Sequence, residues 1–334
     1  MEFHADEVVI GCDAFRIYRS GKMDRLHLHL PARVPAGLDP ATGVTSKDVV
    51  LDASTGLSAR LFLPTSRGAR GSSSEKLPIL VFFHGGAFLI ESAVSPLYHG
   101  YVASLAAAAG VLAVSVEYRL APEHPVPAAY DDAWGALQWA ASARDEWIAE
   151  HGDVARLFLA GDSAGGNMVH NVLVKLASSS HPAAPRIEGA ILLHPWFGGN
   201  TPVEGEDATK AKEMAMIWSF ACPGTAGGAD DPRMNPMAPG APALESLRCE
   251  RMLVCAGEKD WAAARDLAYY AGVAASAWPG STAWFESEGE GHVFFLEKPE
   301  CTKARELMDR IVTFVHGYQA PSLSAARNGD SFEV

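Results

Sequence analysis

Cysteine is scarce in this chain. Five cysteines in 334 residues (Cys12, Cys222, Cys249, Cys255 and Cys301) are odd in number, scattered and without metal-ligand spacing. This argues against a disulfide framework or a structural zinc site, and makes reduced thiols in a cytoplasmic protein the expectation. Positive charge is also short: 27 Lys and Arg face 40 Asp and Glu, a formal net charge of −13, with no basic stripe. Nucleic acid is therefore not an expected partner, and strongly anionic substrates would be mildly repelled. Long hydrophobic runs are missing too. The longest, Leu105 to Val116, is well short of the roughly 18 residues a membrane span requires, and reads as the end of a helix, a glycine and a buried strand. The opening MEFHADEVVI is acidic and has no apolar core, so no signal peptide is expected. Neither a retention nor a peroxisomal signal closes the sequence at Ser331-Phe332-Glu333-Val334. Internal repeats and low-complexity domains are absent.

What is present is the composition of a globular protein, 48% hydrophobic and 20% charged. The length allows one large α/β domain or two ordinary ones. Residues 1–45 carry apolar positions at irregular spacing (Phe15, Ile17, Tyr18, Leu26, Leu28, Leu30) and a Pro/Gly-rich loop. The segment is too irregular for a sheet core and too apolar for a tail. It reads either as a cover over the mouth of a site or as a plain surface arm. Lys47–Ala53 and Leu57–Pro64 alternate about Ser54-Thr55-Gly56, which predicts an antiparallel hairpin. The polar Ser66–Lys76 stretch is an expected exposed loop. Leu77–Phe83 is continuously apolar, as a strand covered on both faces should be. Further strands are expected at 111–116, before Ser163, and at 188–194, 251–256 and 282–286. Helices are expected at 128–144, 168–178, 262–276 and 302–316. Strands alternating with helices predict a doubly wound, mostly parallel sheet of eight strands. Residues 195–242 break that rhythm with one expected helix (Ala208–Phe220) and a Pro/Gly/Asp-rich segment, as a lid insertion would. The expected organisation is a single domain over 1–318 with a disordered tail at 319–334.

Gly161-Asp162-Ser163-Ala164-Gly165-Gly166-Asn167 follows the apolar run Leu157–Ala160 and precedes a helical pattern. A serine with glycine two residues before and after fits a strained strand-to-helix elbow, where side chains would collide with the neighbouring strand and helix. The helix would aim its free N–H groups and positive end at whatever the serine attacks. An incidental serine in a tight turn fits the same short pattern, so the remaining groups must decide. An attacking serine needs a base, an orienter for the base and donors for an oxyanion. His84-Gly85-Gly86-Ala87-Phe88 follows the Leu77–Phe83 strand, and its glycines allow inward-turned N–H groups. Gly85, Gly86 and Ala164 are the expected oxyanion donors, with His84 a structural hydrogen-bonder rather than the base. Asp260 lies just past a strand and is the candidate orienter, with Glu258 its rival and Asp266 a weaker one. His292 lies on the glycine-flanked loop Glu288–Phe294 and completes the order Ser, Asp, His.

Together these residues resemble the α/β-hydrolase fold, and specifically the hormone-sensitive-lipase-like plant carboxylesterases. The likeness extends to Phe15–Tyr18, Gly43–Val49, Val116–Pro125, Pro127–Asp132 and Asp231–Pro236, and so covers about residues 10 to 318. The resemblance implies hydrolysis of carboxylic esters by Ser163, His292 and Asp260 through an acyl-enzyme, without metal or cofactor. Ala87 departs from the family, which often has a third glycine there. Alanine keeps its N–H, though the acyl pocket would narrow. Two relatives supply other readings. Gibberellin receptors resemble enzymes whose triad histidine is lost, whereas His292 is present here. The 2-hydroxyisoflavanone dehydratases perform an elimination, and some carry threonine where this chain has Ser163. Phe88, Trp196, Phe197 and Trp218, with Ala87, are candidates for the pocket wall, and equally for core packing. A small-to-medium neutral ester is the expected ligand, and a monomer or homodimer the expected assembly.

Overall fold

The structure is a computed structural model describing residues 7–26, 32–65, 75–179 and 184–317. It opens with three short strands, β1 (Val8–Gly11), β2 (Phe15–Tyr18) and β3 (Met23–Arg25), followed by β4 (Leu38–Asp39), β5 (Val44–Asp52) and β6 (Leu57–Pro64). Strand and helix then alternate: β7 (Leu77–Phe83), α1 (Pro96–Ala109), β8 (Leu112–Glu117), α2 (Ala128–Ala141), α3 (Glu146–His151), β9 (Gly152–Asp162), α4 (Ala164–Ser178) and β10 (Ile187–Leu193). After α5 (Ala208–Ala221) come β11 (Arg251–Gly257), α6 (Ala263–Ala275), β12 (Ser281–Ser287), α7 (Phe294–Glu297) and α8 (Thr302–Val315).

The main sheet has nine strands in the order β12-β11-β10-β9-β7-β8-β6-β5-β4. The six from β12 to β8 are parallel, and β6, β5 and β4 are antiparallel. The ninth strand, absent from the eight expected, is the two-residue β4, too short to show any periodicity. Side-chain alternation splits the core in two. On β7, Ile79, Val81 and Phe83 join the cluster that packs α2, α4 and α6, while Leu80 and Phe82 face α1, α7 and α8. Each such buried side chain contributes roughly 1.5–3 kcal/mol. Helix ends follow local chemistry: α1 has Ser95 as its N-cap, Pro96 in the first turn and Gly110 in the left-handed conformation after its last turn.

The amino-terminal segment, read as too irregular for a sheet core, carries short strands of its own. β1, β2 and β3 form their own three-stranded antiparallel sheet, with Ile10, Phe15 and Ile17 buried. Strands of three or four residues carry too few alternations to register as a pattern. Arg25 ties this sheet to the body. Its guanidinium donates to both Glu123 carboxylate oxygens at 2.7 Å, to the Leu89 carbonyl at 2.6 Å and to the Ala121 carbonyl at 2.8 Å. Leu28, Leu30, most of the Ser66–Lys76 loop and residues 319–334 lie outside the described residues. No described helix is long and apolar enough to cross a membrane.

Candidate active site

Ser163 sits between β9 and α4 with φ 52° and ψ −117°, a conformation costly for a residue with a side chain. The neighbouring glycines explain how it is held. A Cβ on Gly161 would lie 2.5 Å from the Gly165 carbonyl, and one on Gly165 would lie 1.9 Å from the Phe83 carbonyl oxygen. The serine therefore stands at the carboxyl ends of the parallel strands, where ligands bind in such sheets.

The β12–α7 loop carries His292 to the serine, with Nε2 3.0 Å from Ser163 Oγ. Its Nδ1 lies 2.9 and 2.8 Å from the two Asp260 carboxylate oxygens. Asp260, on the β11–α6 loop, also accepts the Ala262 N–H at 2.9 Å. Burial alone would raise the Asp260 pKa, but the imidazoles of His292 and His194 against it hold it well below the ordinary carboxylate range. An ionised carboxylate only accepts, so Nδ1 of His292 carries a proton toward Asp260 while Nε2 faces Ser163. The Trp261 ring lies against His292 with centroids 4.7 Å apart. The rivals of Asp260 are elsewhere. Glu258 accepts the Gly289 N–H at 2.7 Å, and Asp266 is buried in α6 with no hydrogen-bond partner on either oxygen among the described residues.

One expected oxyanion donor is corrected. The Gly85 N–H is already engaged, donating to Tyr98 Oη at 2.8 Å and to Asp162 Oδ1 at 3.1 Å. It faces the wall behind the serine because the buried Asp162 carboxylate needs donors there, and Tyr98 supplies another at 2.8 Å. The next two residues turn the opposite way, with φ 100° at Gly86 and 57° at Ala87. Both line the cavity over Ser163. Neither N–H has a hydrogen-bond partner among the described residues. Ala164 opens α4, where first-turn N–H groups lack an intrahelical partner. Burial pushes the Asp162 carboxyl up to about 7, against the hydrogen bond from Tyr98. His84 is buried, with Nδ1 2.8 Å from the Gly85 carbonyl and its ring stacked on Tyr118.

The cavity measures about 310 Å³. Ala87 and Trp196 line it, with Ile10 and Phe15 of the amino-terminal sheet, Met214 and Ile217 of α5, and Trp261. Phe88, Phe197 and Trp218 do not. Phe88 packs against Tyr130, Trp196 and Trp218, and Phe197 against His170 and Tyr269. For these three, core packing is the outcome. Spacing places an aromatic on a loop but not the direction it faces once φ at Phe88 turns positive, at 63°. A second cleft of about 670 Å³ lies around Ile187, Leu247 and Cys249, and holds none of the expected site residues.

A family model described as alpha/beta hydrolase fold matches residues 80–296. The chain belongs to the α/β-hydrolase fold family. The motifs that carried the resemblance brace this α/β-hydrolase site. Arg119 grips Asp132 through both carboxylate oxygens. Asn167 accepts from Tyr130 at 2.7 Å and donates to the Trp196 and Arg233 carbonyls, joining α4 to the insertion. Among relatives, 2-hydroxyisoflavanone dehydratase of Glycyrrhiza echinata is 40% identical, covering 90% of this chain and 93% of its own. Probable carboxylesterase 13 of Arabidopsis thaliana is also 40% identical, over 90% of this chain and 95% of its own. The structure of EstE1, a carboxylesterase cloned from a metagenomic library, shares the fold with a TM-score of 0.67 and 24% identity, over 86% of this chain and 92% of that one. His194 was not anticipated. It directly follows β10, at a strand end like the other groups, and that position was the available signal.

Proposed function

We propose that the protein is a serine carboxylesterase of small-to-medium neutral esters. The observation that carries this reading is the unbroken chain Ser163 Oγ, His292 Nε2, His292 Nδ1, Asp260, with contacts of 3.0 and 2.8 Å, opening on a cavity. In the first step Ser163 Oγ attacks the ester carbonyl as His292 Nε2 takes its proton, and Asp260 stabilises the imidazolium. The carbonyl oxygen becomes an oxyanion held by the N–H groups of Gly86, Ala87 and Ala164, a hole that excludes Gly85. His292 then returns the proton to the leaving alcohol as the C–O bond breaks, leaving acyl-Ser163. Water, activated by the same imidazole, releases the acid and restores the serine.

A cavity of about 310 Å³ lies at the small end of ligand sites. Its wall is mostly apolar, and Glu91, Glu213 and Glu297 outnumber Lys210 there, which disfavours carboxylate-bearing esters. We further propose that the amino-terminal sheet and α5 act as its lid. A second reading, elimination of water from a 2-hydroxyisoflavanone-like substrate, is favoured by the dehydratase at 40% identity. The contact between His292 and Ser163 argues against a non-catalytic binder.

The test is hydrolysis of p-nitrophenyl acetate and butyrate by the wild type, Ser163→Ala and His292→Ala, beside a dehydratase assay on 2-hydroxyisoflavanone. The expected result is ester turnover that falls by at least about 10³-fold in both variants. A folded wild type that hydrolyses neither ester would sink the esterase reading. Dehydration without hydrolysis would install the second one.

A further inference from the structure

Asp260 is held by two imidazoles, and only one of them reaches Ser163. We propose that His194 is a positioning residue of this site: its Nδ1–H clamps the Asp260 carboxylate and takes a share of the charge that would otherwise fall on His292. The assignment rests on the triad reading above. His194 Nδ1 lies 2.6 Å from Asp260 Oδ2, the oxygen that His292 Nδ1 approaches at 2.8 Å. Because the carboxylate is ionised and only accepts, the proton on each ring is at Nδ1.

The His194 side chain is fully buried. Burial pushes its pKa down despite the nearby carboxylate, so the ring is neutral and the contact is a charge–dipole hydrogen bond. Its Nε2 is consequently bare and buried, with no partner among the described residues. The backbone is also unfavourable, with φ 49°, and is held there by the His194 N–H donating to the Cys255 carbonyl at 2.7 Å. A left-handed backbone and an orphaned ring nitrogen together mark a side chain retained for its other nitrogen. The ring is wedged against Phe294 and Phe295, with centroids 5.9 and 5.6 Å away. Asp260 and His292 are the titratable groups facing it. Asp266 on α6 faces Asp260 from behind, and burial keeps it protonated. Cys255 on β11 is likewise held as the thiol by burial. Asp162 on β9 acts on His292 from the other side.

Without the His194 donor, Asp260 keeps the Ala262 N–H and His292 among the described residues. It then draws harder on the His292 Nδ1–H, making that ring a stronger base, and is less firmly oriented. Asparagine is the discriminating substitution, because its side-chain amide places an N–H where Nδ1 was and tolerates a left-handed backbone.

The experiment compares wild type, H194N and H194L by the low-field imidazole N–H resonances of the full chain, and by the pH profile of kcat/KM on p-nitrophenyl butyrate. Two low-field signals are expected in the wild type and one in each variant, displaced further downfield in H194L than in H194N. The acid limb is expected to move up by about half a pH unit in H194L. There kcat falls about tenfold with KM within about twofold, whereas H194N retains most of the rate. If H194L does not fold, H194F supplies a donor-free ring for the same phenylalanine-walled niche. Identical resonances and acid limbs in the asparagine variant and the donor-free variant would overturn the proposal and leave His194 a packing residue. A wild type without esterase activity would overturn the esterase reading alone, since the resonance comparison still decides His194.

Discussion

Gly165 is where α4 and β7 leave no room for a side chain, and Gly165→Ala tests the elbow directly. Its Cβ would lie 1.9 Å from the Phe83 carbonyl oxygen, 2.7 Å from the Phe83 carbonyl carbon and 2.9 Å from the His84 oxygen. All three are backbone atoms, so no rotamer change relieves the clash. Real Cβ contacts essentially never fall below 3.0 Å, so the helix and strand must part by about 1 Å. β7 leads into Gly86 and Ala87, and Ser163 caps the start of α4, so this movement pulls Ser163 away from the proposed oxyanion donors. A misplacement of about 1 Å costs on the order of 100-fold in rate, or about 2.7 kcal/mol in the barrier. Overpacking against backbone destabilises by about 3 kcal/mol, which for a chain of this size lowers Tm by about 4 °C. The assays are thermal unfolding and p-nitrophenyl butyrate hydrolysis, with Gly100→Ala as control. Gly100 lies in α1 with nothing within 4 Å of its Cβ, so the control should gain about 0.5–1 kcal/mol at unchanged rate. Wild-type rate and Tm in Gly165→Ala would refute the close approach on which the elbow depends.

Three further outcomes are expected. Asp162, raised by burial to about 7 from an ordinary 3.8, keeps a proton in the folded state that the unfolded chain releases. Its contribution to stability therefore declines as pH rises from about 4 to about 7 and stays lost above that. Asp162→Asn removes this decline, so its urea midpoint relative to wild type should climb between pH 5 and 8; a constant offset would contradict it. His170 acts at the acid end. Burial lowers it from 6.5 to about 3, so stability falls as pH drops through that window, and His170→Gln should flatten the fall. Arg25→Ala should free the amino-terminal sheet from Glu123 and the Leu89 and Ala121 carbonyls. KM on p-nitrophenyl butyrate should rise several-fold with kcat within about twofold; an unchanged KM would dismiss the lid.

The long parallel strands were legible in the chain because each is covered on both faces and must be apolar throughout, as Leu77–Phe83 is. The elbow was legible because only glycine fits at Gly161 and Gly165. The order of Ser163, Asp260 and His292 along the chain selected three residues that lie in hydrogen-bond contact. Local pattern was enough wherever the constraint was itself local: a covered strand, a glycine without room, a loop at a strand end. Contacts across the fold were not legible. Whether the Gly85 N–H meets substrate or Asp162 depends on a carboxylate 77 residues away. That His194 shares Asp260 depends on a register that sets the end of β10 beside β11. Phe88 faces the core and Trp196 the cavity because backbone torsion and neighbouring helices decide where each side chain points. Sequence determined which groups the site contains and the strands that carry them. Tertiary structure decided which donors were already taken, because a hydrogen bond has two ends and the second lay elsewhere in the chain.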